Sequence, residues 1–331
     1  MPSQSVDVTV VVPCFNEETV LPSFHRRMLS VMAELPSSCE ILYIDDGSTD
    51  QTFQHINGFC LGRHVRGIRF SRNFGKESAI QAGIDHAKGQ AIILIDADLQ
   101  DPPELIPDMI AAWKSGFDVV NMQRECRGKE GLAKRFSAKL FYRTIAKLNG
   151  RLHYPNEVSD FRLIGKEVID SLKQTSESSR SFKSMVSWCG YKSIELQYKR
   201  DERFAGETKW NLWSLSDLAI ESIMSVSRKP LRLFSFSAAF LFFVCIFLNL
   251  YSFWQGAFSA SVFALLVISF LGLGLAMIGE YLGAAYQEIK GRPGYLIADT
   301  VDSESMEAEN AGPASYGVFN VVSTEAIQQC S

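Results

Sequence analysis

From residue 8 to about 123, short apolar, β-branched runs alternate with amphipathic stretches of helical length. Strand side chains repeat every two residues and helix side chains about every 3.6, so the alternation predicts repeated βα units and a largely parallel sheet. Strands are expected over 8–13, 40–45, 65–71, 91–96 and 118–122, and helices over 18–34, 49–61, 76–87 and 103–115. Gly89 and Gly116 follow two of these helices as stop signals.

Beyond Arg124 the pattern changes. A charged, glycine-containing stretch over 125–131 reads as a loop, of the kind that closes over substrates, leading into a helix over 132–148. Residues 155–209 are mixed in character. Over 211–227 an apolar stripe (Leu212, Leu215, Leu218, Ala219, Ile223, Val226) recurs at helical spacing between Trp210 and Trp213 on one side and Arg228 and Lys229 on the other. That is the pattern of a helix lying in a membrane interface.

No charged residue occurs between Arg232 and Glu280. A bilayer-spanning helix needs about 20 apolar residues, so the run holds two, over 233–254 and 260–284. Its length disfavours a buried helical hairpin of a soluble protein. Arg228, Lys229 and Arg232 precede the first span, Lys290 and Arg292 follow the second, and the connection between them carries no basic residue. Both termini and the N-terminal domain are therefore expected in the cytoplasm, on a multi-pass protein of the inner (plasma) membrane. The short apolar run over 8–12 passes directly into Asn16, Glu17 and Glu18 and is no secretory leader. The expected division is a catalytic domain over 1–210, an interfacial helix over 211–230, two spans over 231–285 and a partly disordered cytosolic tail over 286–331, with 299–331 rich in Ser, Glu and Ala. Gly272, Gly274, Gly279 and Gly283 lie inside the second span, not between a strand and a helix, so they are no dinucleotide fingerprint. Small residues there let helices approach closely, and a homo-oligomer is expected.

Composition agrees with a soluble domain joined to a lipid-embedded one: 47% of residues are hydrophobic, yet 21% are charged. A net charge of -4 leaves no global basic surface for nucleic acid. The seven cysteines form no CxxC pair, and the five histidines are scattered, so a zinc site or disulfide framework is not expected.

Carboxylates gather where strands should end: Glu17 and Glu18 after the first, Asp45 and Asp46 after the second, Asp96 and Asp98 after the fourth. Ligands of open α/β sheets bind at the carboxyl ends of the strands, so these acids should share one crevice. Several carboxylates together call for a cation or a polyhydroxyl ligand. Asp96 and Asp98, as alternate residues at a strand end, can aim at one hard cation, Mg²⁺ or Mn²⁺, leaving positions open for diphosphate oxygens. An isolated Asp-x-Asp equally serves as loop or helix-capping chemistry.

Here the pair is not isolated. The stretches Val11-Val12-Pro13-Cys14-Phe15-Asn16-Glu17-Glu18, Asp45-Asp46-Gly47-Ser48-Thr49-Asp50 and Asp96-Ala97-Asp98-Leu99-Gln100-Asp101-Pro102-Pro103-Glu104 occur with Asn73-Phe74-Gly75-Lys76, Ser159-Asp160-Phe161-Arg162-Leu163 and Arg203-Phe204-Ala205-Gly206-Glu207-Thr208-Lys209-Trp210. Together with a two-span tail, these resemble the family 2 inverting nucleotide-sugar glycosyltransferases. The resemblance is to the polyprenyl-phosphate branch, which includes bactoprenol glucosyltransferases and dolichol-phosphate mannose synthases. It implies an α/β, A-type, Rossmann-like domain with a mainly parallel sheet, followed by the interfacial helix and the transmembrane hairpin.

The resemblance also implies roles. Pro13, Glu17, Asp45, Asp46 and Lys76 would bind the nucleotide-sugar. Asp96, Asp98 and Gln100 would hold the metal and the donor diphosphate, and Asp160 would sit with Asp98 at the reacting centre. Arg124, Arg135, Arg203 and Lys209 would contact lipid phosphate or diphosphate, although Arg135 reads equally as a solvated surface charge. The reaction so implied moves a hexose, with UDP-glucose the expected donor, onto undecaprenyl or another polyprenyl phosphate for cell-envelope glycan modification such as that of lipopolysaccharide O-antigen. Mannose, aminoarabinose or an N-acetylhexosamine are alternative sugars. A processive polysaccharide synthase is disfavoured because Gln197-Tyr198-Lys199-Arg200 is followed by Asp201 and not by Trp. A non-catalytic nucleotide-sugar-binding membrane protein is disfavoured because Asp96, Asp98 and Asp160 are all present.

Overall fold

A computed structural model describes residues 6–35, 37–62, 64–124, 158–175, 182–199 and 260–302, with isolated helical residues between 240 and 254. The expected helices over 132–148 and 211–227, and with them Arg135, Arg203 and Lys209, lie outside the described residues.

The N-terminal βα alternation is present: β1 (Val8–Cys14), α1 (Leu21–Glu34), β2 (Cys39–Asp45), α2 (Thr52–Phe59), β3 (Val65–Phe70), α3 (Lys76–His86), β4 (Ala91–Leu94), a 3-10 turn (Pro103–Leu105) running into α4 (Ile106–Lys114), and β5 (Val119–Arg124). There follow β6 (Val158–Gly165), α5 (Lys166–Gln174), α6 (Phe182–Cys189), β7 (Ser193–Tyr198), α7 (Ala260–Ile289) and β8 (Ile297–Asp302). The eight strands form one sheet in the order β7-β5-β6-β4-β1-β2-β3-β8.

β1 explains the layering. Val8, Val10 and Val12 join the core on one face, with Leu21, Phe24 and Met28 of α1, Ile56 of α2 and Met109 of α4. Val11 faces the other way, with Ala79 and Ile80 of α3, Ile169 of α5 and Phe182 of α6. The strand is therefore apolar on both faces, as a strand covered by helices on each side must be. Leu21, Phe24 and Met28, spaced to share one face of α1, have no exposed surface; each such burial is worth about 1.5–3 kcal/mol.

The sheet is more mixed than its first half implies. β4, β1, β2 and β3 are mutually parallel, but β6 enters antiparallel between β4 and β5, and β8 lies antiparallel on β3. Hydropathy hid β6 because its Ser159 and Arg162 are buried although polar. β8 corrects the reading of residues 299–331 as tail, since 299–302 hydrogen-bond to the sheet edge. Tyr295 leads into it, stacked on Phe70 with ring centroids 5.0 Å apart and donating its hydroxyl to Asp85 at 3.0 Å.

α7 is a single 30-residue helix covering the expected second span. Its side chains are described only in part, and on the described residues no helix is long and apolar enough to cross a membrane. Most of the first expected span lies outside the described residues, so the hairpin is not shown.

Candidate active site

Register brings the carboxylates together. Cys14 pairs with Asp45 and Val11 with Leu94, so the segments after β1, β2 and β4 leave the sheet along one edge. The first two segments are laced to each other. The Asn16 N–H donates to Ser48 Oγ at 2.9 Å and the Thr49 N–H to Asn16 Oδ1 at 2.9 Å. The Glu17 N–H donates to Thr52 Oγ1 at 2.8 Å and the Gln51 N–H to Glu18 Oε2 at 2.9 Å. Glu17 and Glu18 thus precede α1, which begins at Leu21, and bind the two loops into one lip beside Pro13.

Asp45 lies at the base of this lip with no exposed surface. Its Oδ1 accepts the Ser48 N–H at 3.1 Å. Its Oδ2 has no hydrogen-bond partner, although the Arg69 Nε stands 3.5 Å away. Burial raises the carboxyl's pKa above its ordinary value, while the bonds to Ser48 and the charge of Arg69 act against that rise. A buried acceptor oxygen without a donor is costly, and a ligand offering an N–H or O–H would remove that cost.

Asp46, expected beside the nucleotide-sugar, is engaged by backbone: its carboxylate accepts the Phe74 N–H at 2.7 Å and the Gly75 N–H at 2.9 Å. Gly47 allows the approach, since a Cβ there would stand 2.4 Å from the Arg72 carbonyl carbon, and its φ of 68° favours glycine. The Asp46-Gly47 pair thereby fixes the segment 72–75, and the next residue, Lys76, opens α3. The Lys76 Nζ then reaches both oxygens of Asp96, at 2.6 and 2.8 Å, and Asp160 Oδ2 at 2.7 Å. The other oxygen of Asp160 meets the Lys183 Nζ at 3.0 Å. Burial alone would raise the Asp160 pKa, but the Lys76 and Lys183 ammoniums hold it well below the usual carboxylate range. Asp160 is therefore ionised at neutral pH. Lys76 mirrors it: burial opposes its charge, and Asp96 with Asp160 more than restores it.

β4 ends at Leu94, so Asp96 and Asp98 stand beyond the strand and not at its last alternate positions. Asp98 Oδ1 accepts the Gln100 N–H at 3.1 Å, across a turn in which Leu99 adopts a φ of 60°. That left-handed conformation is uncommon for a bulky residue. Gln100, expected as a third metal ligand, is buried, with its backbone on Asp98. The donors available suit a hard divalent cation, because they are carboxylates without His or Cys. Among the described residues no three His, Cys, Asp or Glu side chains form a ready cation cage. Two aspartates supplemented by diphosphate and water oxygens fit Mg²⁺ or Mn²⁺, and Asp96 would exchange its contact with Lys76 for the ion.

The residue after Gln100 anchors this turn. Asp101 is fully buried and accepts hydrogen bonds from Ser159 Oγ at 3.3 Å and from the Tyr198 hydroxyl. Arg124, expected on phosphate, donates to Ser159 Oγ at 3.0 Å and to the Tyr198 hydroxyl at 3.4 Å. Burial disfavours its charge, yet the bond to Tyr198 and the nearby Asp101 raise its pKa. The four side chains tie β5, β6 and β7 to the turn bearing Asp98, one residue from Asp160. Removing a donor from a buried carboxylate costs about 1.5–3 kcal/mol, and Tyr198→Phe should lower stability by about that amount, read as a lower midpoint in thermal or urea unfolding.

Sequence reasoning singles out Asp96, Asp160 and Lys76, which the fold brings together, Asp98 on the turn two residues beyond Asp96, and Pro13, Glu17 and Asp45 on the adjoining lip. It missed Lys183, Ser159, Asp101 and Tyr198 as parts of the site. Ser159 and Asp101 lay unnoticed inside quoted motifs, whereas nothing in the local sequence marks Lys183.

The α/β sheet thus carries two aspartates, a bridging lysine and an ionised third aspartate along one edge. The pattern of glycosyl transferase family 2 matches residues 9–173. The chain is 38% identical over 315 residues to an uncharacterized glycosyltransferase of Synechocystis sp., covering 92% of this chain and 99% of that one. It is 38% identical over 307 residues to the SfII prophage-derived bactoprenol glucosyl transferase of Shigella flexneri, covering 88% and 97%. It is 39% identical over 304 residues to a prophage bactoprenol glucosyl transferase homolog of Escherichia coli, covering 88% and 98%. The chain belongs to glycosyl transferase family 2 and is a glycosyltransferase.

Proposed function

We propose that this enzyme transfers a hexose, glucose from UDP-glucose, to the phosphate of a membrane-borne polyprenyl phosphate such as undecaprenyl phosphate, with inversion at the anomeric carbon. The observation that carries this reading is the similarity to bactoprenol glucosyl transferases over almost their whole length. Pro13, Glu17 and the unpartnered oxygen of Asp45 would bind the nucleoside. Asp96 and Asp98 would hold Mg²⁺ or Mn²⁺, which when bound supplies positive charge to the donor diphosphate. Lys76 lies between the Asp96 side and Asp160, so its charge can follow the negative charge that develops as the diphosphate departs. A phosphate monoester has a second pKa of about 6 and is already largely ionised. Asp160 therefore need not remove a proton; it orients the acceptor and stabilises positive charge growing on the sugar.

The membrane assignment is part of the proposal. A prenyl chain loses about 0.8 kcal/mol per CH₂ on leaving the bilayer, so the site must come to the headgroup. In support, residues 260–279 of α7 carry no charge, and Ile268, Leu271, Leu275, Ile278 and Leu282 are exposed. The basic flanks support a cytoplasmic location for both termini, and reporters fused before Val8 and after Arg292 test this; a periplasmic signal from either refutes it. The Gly279 and Gly283 stripe supports a homo-oligomer, which a monodisperse monomer in lipid discs would contradict.

The function is tested by incubating the full chain with polyprenyl phosphate and a panel of nucleotide-sugars, with the lipid product identified by mass. A hexosyl phosphopolyprenol formed from UDP-glucose is expected. A product from another donor corrects the sugar, and nucleotide release without any lipid product refutes the acceptor.

A further inference from the structure

Lys183 opens no recognised motif, yet three contacts fix where it stands. It is the second residue of α6, whose first residue, Phe182, donates its N–H to Glu77 Oε2 at 3.0 Å. Glu77 follows Lys76 in α3, so the starts of two helices are joined where each presents a lysine. The Arg162 guanidinium lies 5.3 Å from the centre of the Phe182 ring and donates to the Ser159 carbonyl at 3.1 Å, which ties the same helix start to β6 beside Asp160. The Lys183 side chain keeps 37% of its surface exposed even while its ammonium pairs with Asp160, so the residue is not sealed in the core.

The two lysines divide Asp160 between them. Lys76 holds Oδ2 and also Asp96, on the side expected to face the donor diphosphate, whereas Lys183 holds only Oδ1 among the ion pairs found. An acceptor phosphate approaching the sugar must come close to the Asp160 carboxylate, and two such anions repel each other unless a cation stands between them. Among the described residues, Lys183 is the cation paired with the Asp160 oxygen that Lys76 does not hold.

Resting on the acceptor assignment above, we propose that Lys183 binds the acceptor's phosphate beside Asp160 and so aligns it for attack. In that step a phosphate oxygen forms a bond to the anomeric carbon. The bond from that carbon to the diphosphate oxygen breaks, its electron pair leaves with the nucleoside diphosphate, and no proton need be transferred. An ammonium is a compact point charge that suits a phosphate whose orientation changes during the reaction.

Lys183→Met and Lys183→Arg in the full chain provide the test, with undecaprenyl phosphate in detergent as acceptor. For Lys183→Met the KM for the lipid should rise about 10- to 100-fold, as for loss of a hydrogen bond to a charged group. UDP affinity by calorimetry should stay at the parent value, which also shows that the variant is folded. Lys183→Arg should recover most of the lost acceptor affinity. An unchanged acceptor KM in Lys183→Met overturns the proposal. A fall in kcat alone overturns it too, because it assigns Lys183 to holding Asp160, and a parallel loss of UDP affinity does so by moving Lys183 to the donor side. If Lys183→Met does not fold, Lys183→Gln is read by the same criteria. Absence of lipid glycosylation by the parent enzyme would instead overturn the acceptor assignment.

Discussion

Asp160→Asn should bind UDP with the parent affinity and metal dependence while its turnover falls about 10²- to 10⁴-fold, the range over which positioned acid–base and electrostatic groups act. The substitution keeps the size of the side chain and removes the charge that Lys76 and Lys183 both contact. In the donor complex little is expected to depend on that charge, because the nucleoside lip and an ion on Asp96 and Asp98 would hold the donor, and Asp160 is linked to Asp96 through Lys76. In the transition state the sugar becomes positive and the acceptor must be aligned, so the loss appears in kcat. The sign of the pKa shift adds a second reading. Because the lysines hold Asp160 below the usual carboxylate range, it remains ionised at any pH above about 4. The parent enzyme should therefore show no fall in rate from Asp160 protonation between about pH 6 and 9. Single-turnover transfer at the parent rate in Asp160→Asn would remove Asp160 from the reacting centre.

Asp98→Asn should behave in the opposite way. Metal-dependent UDP affinity should collapse, by about 100-fold or more, given the several kcal/mol that a divalent ion contributes at a diphosphate. More acceptor should not rescue transfer, because the defect precedes acceptor binding. The turn itself should survive, since an Asn oxygen can still accept the Gln100 N–H, and an unchanged unfolding midpoint would show this. Calorimetry with and without Mn²⁺ provides the measurement; full metal dependence in Asp98→Asn would show that the ion is held elsewhere.

The first half of the fold was readable because its signals are local. α3 is expected over 76–87 and occupies Lys76–His86, since its helical length and the Gly89 stop signal beyond it are both visible in the sequence. β6 was not readable, because Ser159 and Arg162 are buried by hydrogen bonds that only neighbouring strands and helices supply. The same distinction applies to the site. Aspartates in dense motifs could be found by inspection, but the occupation of Asp46 by the Phe74 and Gly75 amides is a long-range fact. So is the meeting of Lys183 with Asp160, which depends on the way α6 docks on α3.

The position of β8 bears on how the protein is made. β3 is formed from residues that leave the ribosome early, but its outer edge is closed only by Ile297–Asp302, which come after α7. Until then the nascent chain carries an open sheet edge, a surface prone to pairing with other chains. Residues 297–302 are synthesised after every other strand of the sheet, so the pairing of β8 with β3 closes this edge late. A chain that stops short of Ile297 leaves β3 without this edge partner, and with it an open row of backbone donors and acceptors.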